Sequence, residues 1–115
     1  MTRFAIWISG ATAALAAALA VPETAQAAAA TLAELPDPDA QRSLAAVVLD
    51  PSRPPALRSQ VAGLLVGSIR KFKPLITARQ EARFAAARDE ESDPTVQAAI
   101  AAVLAALKPE ASHAP

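Results

Sequence analysis

The densest run of potential ligand groups is Asp89-Glu90-Glu91-Ser92-Asp93. Hard divalent cations take such oxygens, but a calcium loop also needs a central glycine to turn the backbone around the ion, and this run has none. It reads first as a solvated connection in which Asp93 caps the helix that follows and the neighbouring acids favour that N-terminus; weak divalent binding is the alternative. Nucleophilic catalysis needs a base beside the nucleophile, and the one histidine, His113, lies in a proline-flanked tail. Cysteine is absent, which removes thiolate metal sites and disulfides. The three glycines form no phosphate-binding loop: Gly63 and Gly67 are four apart in a helical stretch, where close helix packing is the default reading. The chain is therefore expected to be no enzyme and to hold no metal or cofactor.

Charge narrows the partners. Eleven basic and eleven acidic residues balance, so there is no bulk attraction to nucleic acid or anionic lipid. Trp7, Phe4, Phe72 and Phe84 are all the aromatics, too few for stacking on single strands or sugars. Nucleic acid is not an expected ligand. From Arg70 to Arg88 the charges are nearly all basic: Arg70, Lys71, Lys73, Arg79, Arg83 and Arg88, with Glu81 the exception. Those near helix ends suit the dipole. Arg79 and Arg83, four apart on one helix face, are not explained that way. They form either an ordinary solvated face or a strip for an acidic partner or envelope lipid.

The first residues have the pattern of an export signal. Arg3 is the positive start, Phe4 to Val21 is a run without a charge, and Pro22 breaks it. Ala25-Gln26-Ala27 then offers the small-x-small pattern of a signal-peptidase site. The expectation is a leader over residues 1–27 cut between Ala27 and Ala28, with the alanines through Ala30 allowing a shift of one to three residues, and a product in the bacterial periplasm or outside the cell. An uncleaved anchor is the alternative, since the run is barely long enough to span a bilayer; only then would the membrane be a partner. Removing the leader leaves about 88 residues, one small domain. Residues 28–37 are expected as a linker, 38–108 as the domain and 109–115 as a disordered tail.

Prolines divide that domain. Pro38, Pro54, Pro55, Pro74 and Pro94 alternate with stretches of Ala, Leu, Arg and Gln, and proline belongs in a helix's first turn, not its interior. The spacing predicts an all-α fold of four helices over 38–49, 54–71, 74–89 and 94–108. Asp37, Ser52 and Asp93 stand as the acceptors beside the first-turn prolines. No stretch alternates as a strand would.

Two of these helices share a pattern. Leu57, Val61, Leu64 and Leu65 recur in the same register as Val96, Ile100, Val103 and Leu104, while Ser68 meets Leu107. Leu44-Ala45-Ala46 matches Phe84-Ala85-Ala86 at nearly the same offset. The domain thus reads as two copies of a helical hairpin about 40 residues long, the period of α-solenoids. The segments Pro54-Pro55-Ala56-Leu57-Arg58-Ser59-Gln60-Val61-Ala62 and Asp93-Pro94-Thr95-Val96-Gln97-Ala98-Ala99-Ile100-Ala101 resemble the second helix of HEAT repeats, with Arg58 at that family's arginine position and Gln97 departing from it. The resemblance implies two HEAT-like hairpins, binding to other proteins or scaffolding, and no catalytic residues.

The last helix is unusual in lacking a polar side. From Thr95 to Leu107 it has no charge, and opposite its stripe of large residues stand Ala98, Ala101, Ala102, Ala105 and Ala106. A helix that is apolar all round is normally covered all round. The candidate interaction face is Ala98, Ala101, Ala102 and Ala105, with Arg79 and Arg83; the alternative is that alanine serves there only as a common helix former in an alanine-rich chain. The expected partner is a protein or a second copy of the chain. A small chaperone shielding apolar segments is the runner-up.

Overall fold

In a computed structural model, residues 2–108 are described, with side chains from residue 10 onward. The expected tail 109–115, with His113, lies outside the described residues, as does the side chain of Arg3. The fold is all-α: α1 (Thr2–Ala18), α2 (Pro22–Leu32), α3 (Pro38–Leu49), α4 (Pro55–Phe72), α5 (Ala78–Glu90) and α6 (Pro94–Leu107). Successive helices pair as hairpins, α1 with α2, α3 with α4 and α5 with α6. The odd helices pack in one layer, α1 on α3 on α5, and the even helices in the other, α2 on α4 on α6. The body measures 41 × 37 × 20 Å, and its short dimension is the thickness of two helices.

Three of the expected helices stand where the prolines put them. Asp37 accepts from Asp39 N at 3.0 Å to start α3, and Asp93 Oδ1 accepts from Thr95 N at 2.8 Å and Val96 N at 3.2 Å to start α6. Each satisfies N–H groups that have no partner within the helix. Two expected starts are corrected. Ser52 does not cap α4, whose N-cap is Pro54 without a side-chain bond; the Ser52 hydroxyl and amide instead donate to Asp50 Oδ1 at 2.7 and 2.9 Å. The third helix begins at Ala78, not at Pro74, because Thr77 and Gln80 form a capping box there.

Residues 28–37, expected as a linker, begin inside a helix. The first of them belong to α2, with Ala28 3% exposed and Ala29 and Leu32 fully buried. Pro22 opens that helix at its first position. The same proline that ends the α1 run therefore starts another helix, the asymmetry that its fixed φ and missing N–H produce.

The core follows from the layering. Leu44, Val48, Val61, Leu65, Phe84, Val96, Ile100 and Val103 are all fully buried. Much of α3 is buried but only Phe84 of α5, because α3 lies between two neighbours and α5 closes the stack. Leu44 and Phe84, which match in the sequence pattern, are both inside. Ala45 is buried under that cover whereas Ala85 is exposed.

Candidate interaction surface

The outer side of α6 begins with where its large residues go. Val96, Ile100 and Val103 turn inward and are fully buried, with Leu104, Ala106 and Leu107 half-buried at the edges. Ala98, Ala101, Ala102 and Ala105 are all exposed. They fall at i, i+3, i+4 and i+7, one face of the helix. Arg79 and Arg83 are also exposed, on α5, and neither enters an ion pair among the described residues. Arg83 borders a cavity of ≈ 320 Å³ with Leu49, Arg58, Ala87, Glu90 and Glu91, so it belongs to the seam between hairpins and the alanines to the outer side. Arg83 thus stands apart from the alanine face.

The seam contains polar groups that local spacing does not reveal. Arg58, 4% exposed, donates from Nε to Val48 O at 2.9 Å and from Nη2 to Glu91 Oε1 at 2.8 Å. It satisfies an end carbonyl of α3 and ties that helix end to the α5–α6 connection. Gln97, its equivalent in the next hairpin, donates from Nε2 to Arg88 O at 2.7 Å, an end carbonyl of α5. Gln41 is fully buried; its Nε2 donates to Lys73 O at 2.9 Å and its Oε1 accepts from Leu75 N at 2.8 Å. Those two bonds hold the α4–α5 connection, in which Lys73 has φ 74°. Gln80 Nε2 adds a bond to Arg42 O at 3.1 Å.

These contacts give the acidic run structural roles. Asp93 caps α6, Glu91 partners Arg58, and Asp89 lies 3.5 Å from Arg88. Among the described residues no three His, Cys, Asp or Glu side chains converge as a metal set would require. Arg70, Lys73 and Lys108 border a groove of ≈ 560 Å³ floored by Ile69 and Leu107. They stand at the ends of α4 and α6, where cations complement the helix dipoles.

Ala25, Ala27 and Ala28 all lie within α2. Ala25 and Ala28 are buried at 1% and 3% exposed, and Ala27 is on the outside. Among the described residues no helix is long and apolar enough to cross a membrane. Comparison with protein-family models, curated proteins and solved structures finds no match to this chain.

Proposed function

We propose that this chain is an exported, non-enzymatic interaction module, built of HEAT-like helical hairpins and working in the bacterial envelope or outside the cell. The observation that carries the reading is the outer side of α6: four exposed alanines in register on a helix without a charge from Thr95 to Leu107. Terminal helices of stacked-hairpin proteins normally carry a polar outer face for solubility. A face of alanine instead permits close helix approach and loses no side-chain entropy on burial. The equivalence of the α3–α4 and α5–α6 hairpins supports the repeat reading, since the N-caps Asp37 and Thr77 are spaced almost as Pro54 and Asp93 are.

The same uncharged helix suits a small chaperone that shields apolar segments. Affinity capture from envelope extract separates the two, run with wild type and with the Ala98→Glu/Ala102→Glu variant. A module binding a folded partner retains one or a few proteins in fixed proportion and loses them in the variant. A chaperone retains many proteins, and more of them after the extract is heat-denatured. Capture unchanged by the variant contradicts both readings.

A further inference from the structure

The bond after Ala27 is the one that the leader reading needs a peptidase to reach. It lies inside α2, with buried Ala25 and Ala28 on either side of it. A peptidase must separate the local backbone from its helical bonds before it can bind it, and cleavage then follows the population of the opened form. Three sets of contacts hold α2 and its partner helix down. Thr12 Oγ1 donates to Asp37 Oδ2 at 2.7 Å, which ties α1 to the cap of α3. Arg53 Nη1 donates to Leu19 O at 2.6 Å at the end of α1. Leu19, Ala28, Ala29 and Leu32 join the common hydrophobic core.

The described side chains of α1, from Gly10 on, are sparsely covered. Between Gly10 and Ala20 only Thr12 and Leu19 are buried, and Ala13, Ala14, Ala17 and Ala20 face outward. A stretch with so little buried surface opens more readily than the core does. The α1–α2 pair is thus a hairpin that fits the stack but is weakly attached at its first helix.

We propose that the first hairpin is a self-cover: docked, it seals the Ala27–Ala28 bond and occupies the outer side of α3, so that leader removal and docking exclude each other. This rests on the leader reading of residues 1–27. Processing before docking removes α1 and the first turns of α2, and bares Val47 of α3, now 4% exposed and near Ala16 and Leu19, while its neighbours Ser43 and Ala46 are already half-buried and exposed. Processing after docking requires the hairpin to open.

The test uses purified bacterial signal peptidase on three substrates. They are a synthetic peptide of residues 1–34, which keeps the whole leader but none of the helices it docks on, the folded full-length chain, and the folded full-length Thr12→Val/Arg53→Ala variant. Neither substitution touches the cleavage residues, and circular dichroism verifies that the variant keeps its helices. The expected result is a cut after Ala27 in the peptide, cleavage at least about tenfold slower in the folded wild type, and a rate in the variant between the two. A wild-type rate equal to that of the peptide overturns the seal. A variant with unchanged helical content that is cut no faster than wild type overturns it as well, because the two contacts then do not hold the hairpin. A peptide that is not cut at all shows instead that the leader reading fails, and the self-cover with it, while leaving the α6 surface untouched.

Discussion

Arg58 and Gln97 hold the same place in successive hairpins and do the same work there. Arg58 Nε donates to Val48 O at 2.9 Å, and Gln97 Nε2 donates to Arg88 O at 2.7 Å. Donors and acceptors are offset along the chain as the apolar stripes are. Each second helix thus satisfies an end carbonyl of the first helix of its own hairpin. Where Arg58 differs is its second bond, to Glu91, which joins one hairpin to the next.

That difference sets unequal effects of removal. Arg58→Ala leaves Glu91, with 11% of its side chain exposed, without its cation, and loss of one partner of a buried pair costs about 3–5 kcal/mol. Gln97→Ala removes a neutral bond on an exposed side chain and costs about 1 kcal/mol. Denaturant titrations of both variants measure the contrast. Adding Glu91→Leu to an Arg58→Met background should recover part of the loss but not all of it, since Val48 O still lacks its donor. Equal destabilisation by Arg58→Ala and Gln97→Ala would mean that the hairpins are not joined through this pair.

The α4–α5 connection supplies a prediction of opposite sign. Lys73 has φ 74° and ψ 165°, a region that only glycine enters without strain. Gln41 holds it there through Lys73 O and Leu75 N. Lys73→Gly is expected to raise stability by about 1 kcal/mol, seen as a higher midpoint in thermal melts. Gln41→Ala should lower it by about 2–3 kcal/mol, because two buried backbone groups lose their partners. A destabilised Lys73→Gly protein would refute the strained geometry.

How far these features are legible in the sequence depends on how local they are. Asp37-Pro38 and Asp93-Pro94 announce their helices because cap and first-turn proline are neighbours. Thr77-x-x-Gln80 is an equally local signal, but Pro74 stands before it and competes as the start. Pro22 has the look of a breaker closing an export signal, and its second role as the first residue of α2 depends on Leu32 and Ala29 finding a core. Arg58 stands out in the sequence only through the HEAT-like resemblance. Its acceptor Val48 is in the preceding helix and its ion-pair partner Glu91 in the next hairpin, while Gln41 reaches across to Lys73 and Leu75. Such pairings arise from packing and leave no trace in local spacing. The α6 alanines are legible as a face because helical period alone places them together.

The repeat stripe is less symmetrical in burial than in sequence, and substitution should show it. Leu65 is fully buried, whereas its equivalent Leu104 is only half-buried at the edge of α6. Leu65→Ala is expected to cost about 2–5 kcal/mol and Leu104→Ala about 1 kcal/mol, in proportion to the area it removes from the core. Thermal melts followed by circular dichroism compare them. An unchanged transition for Leu65→Ala would remove that stripe from the core.

Asp50 gives a pH signature at the α3–α4 turn. The Ser52 hydroxyl bond lowers its pKa most, followed by the Ser52 amide and, more weakly, Arg53 and Arg58, against an opposing effect of burial. A carboxyl held below its ordinary value in the folded state contributes stability that is complete above the unfolded value and lost as pH falls through the folded one. Side-chain carboxyl NMR should therefore show Asp50 titrating below an ordinary aspartate. Ser52→Ala should move it upward, though not fully, since the residue 52 amide remains. A midpoint unmoved by that change would show the hydroxyl bond to be absent in solution.

If the outer side of α6 meets another protein surface, charge placed there must break the contact. Ala98 and Ala102 are exposed and four apart, so glutamate at both adds charge without entering the core and keeps helix propensity high. Size exclusion coupled to light scattering, run across a range of concentrations, reads the mass of wild type and Ala98→Glu/Ala102→Glu directly, alone and with any captured partner. Wild type is expected to form a complex, with itself or with that partner, and the double variant to keep its helical spectrum but elute at the monomer mass. A wild type that stays monomeric at every concentration, with a partner held equally well by the variant, would contradict the α6 interface.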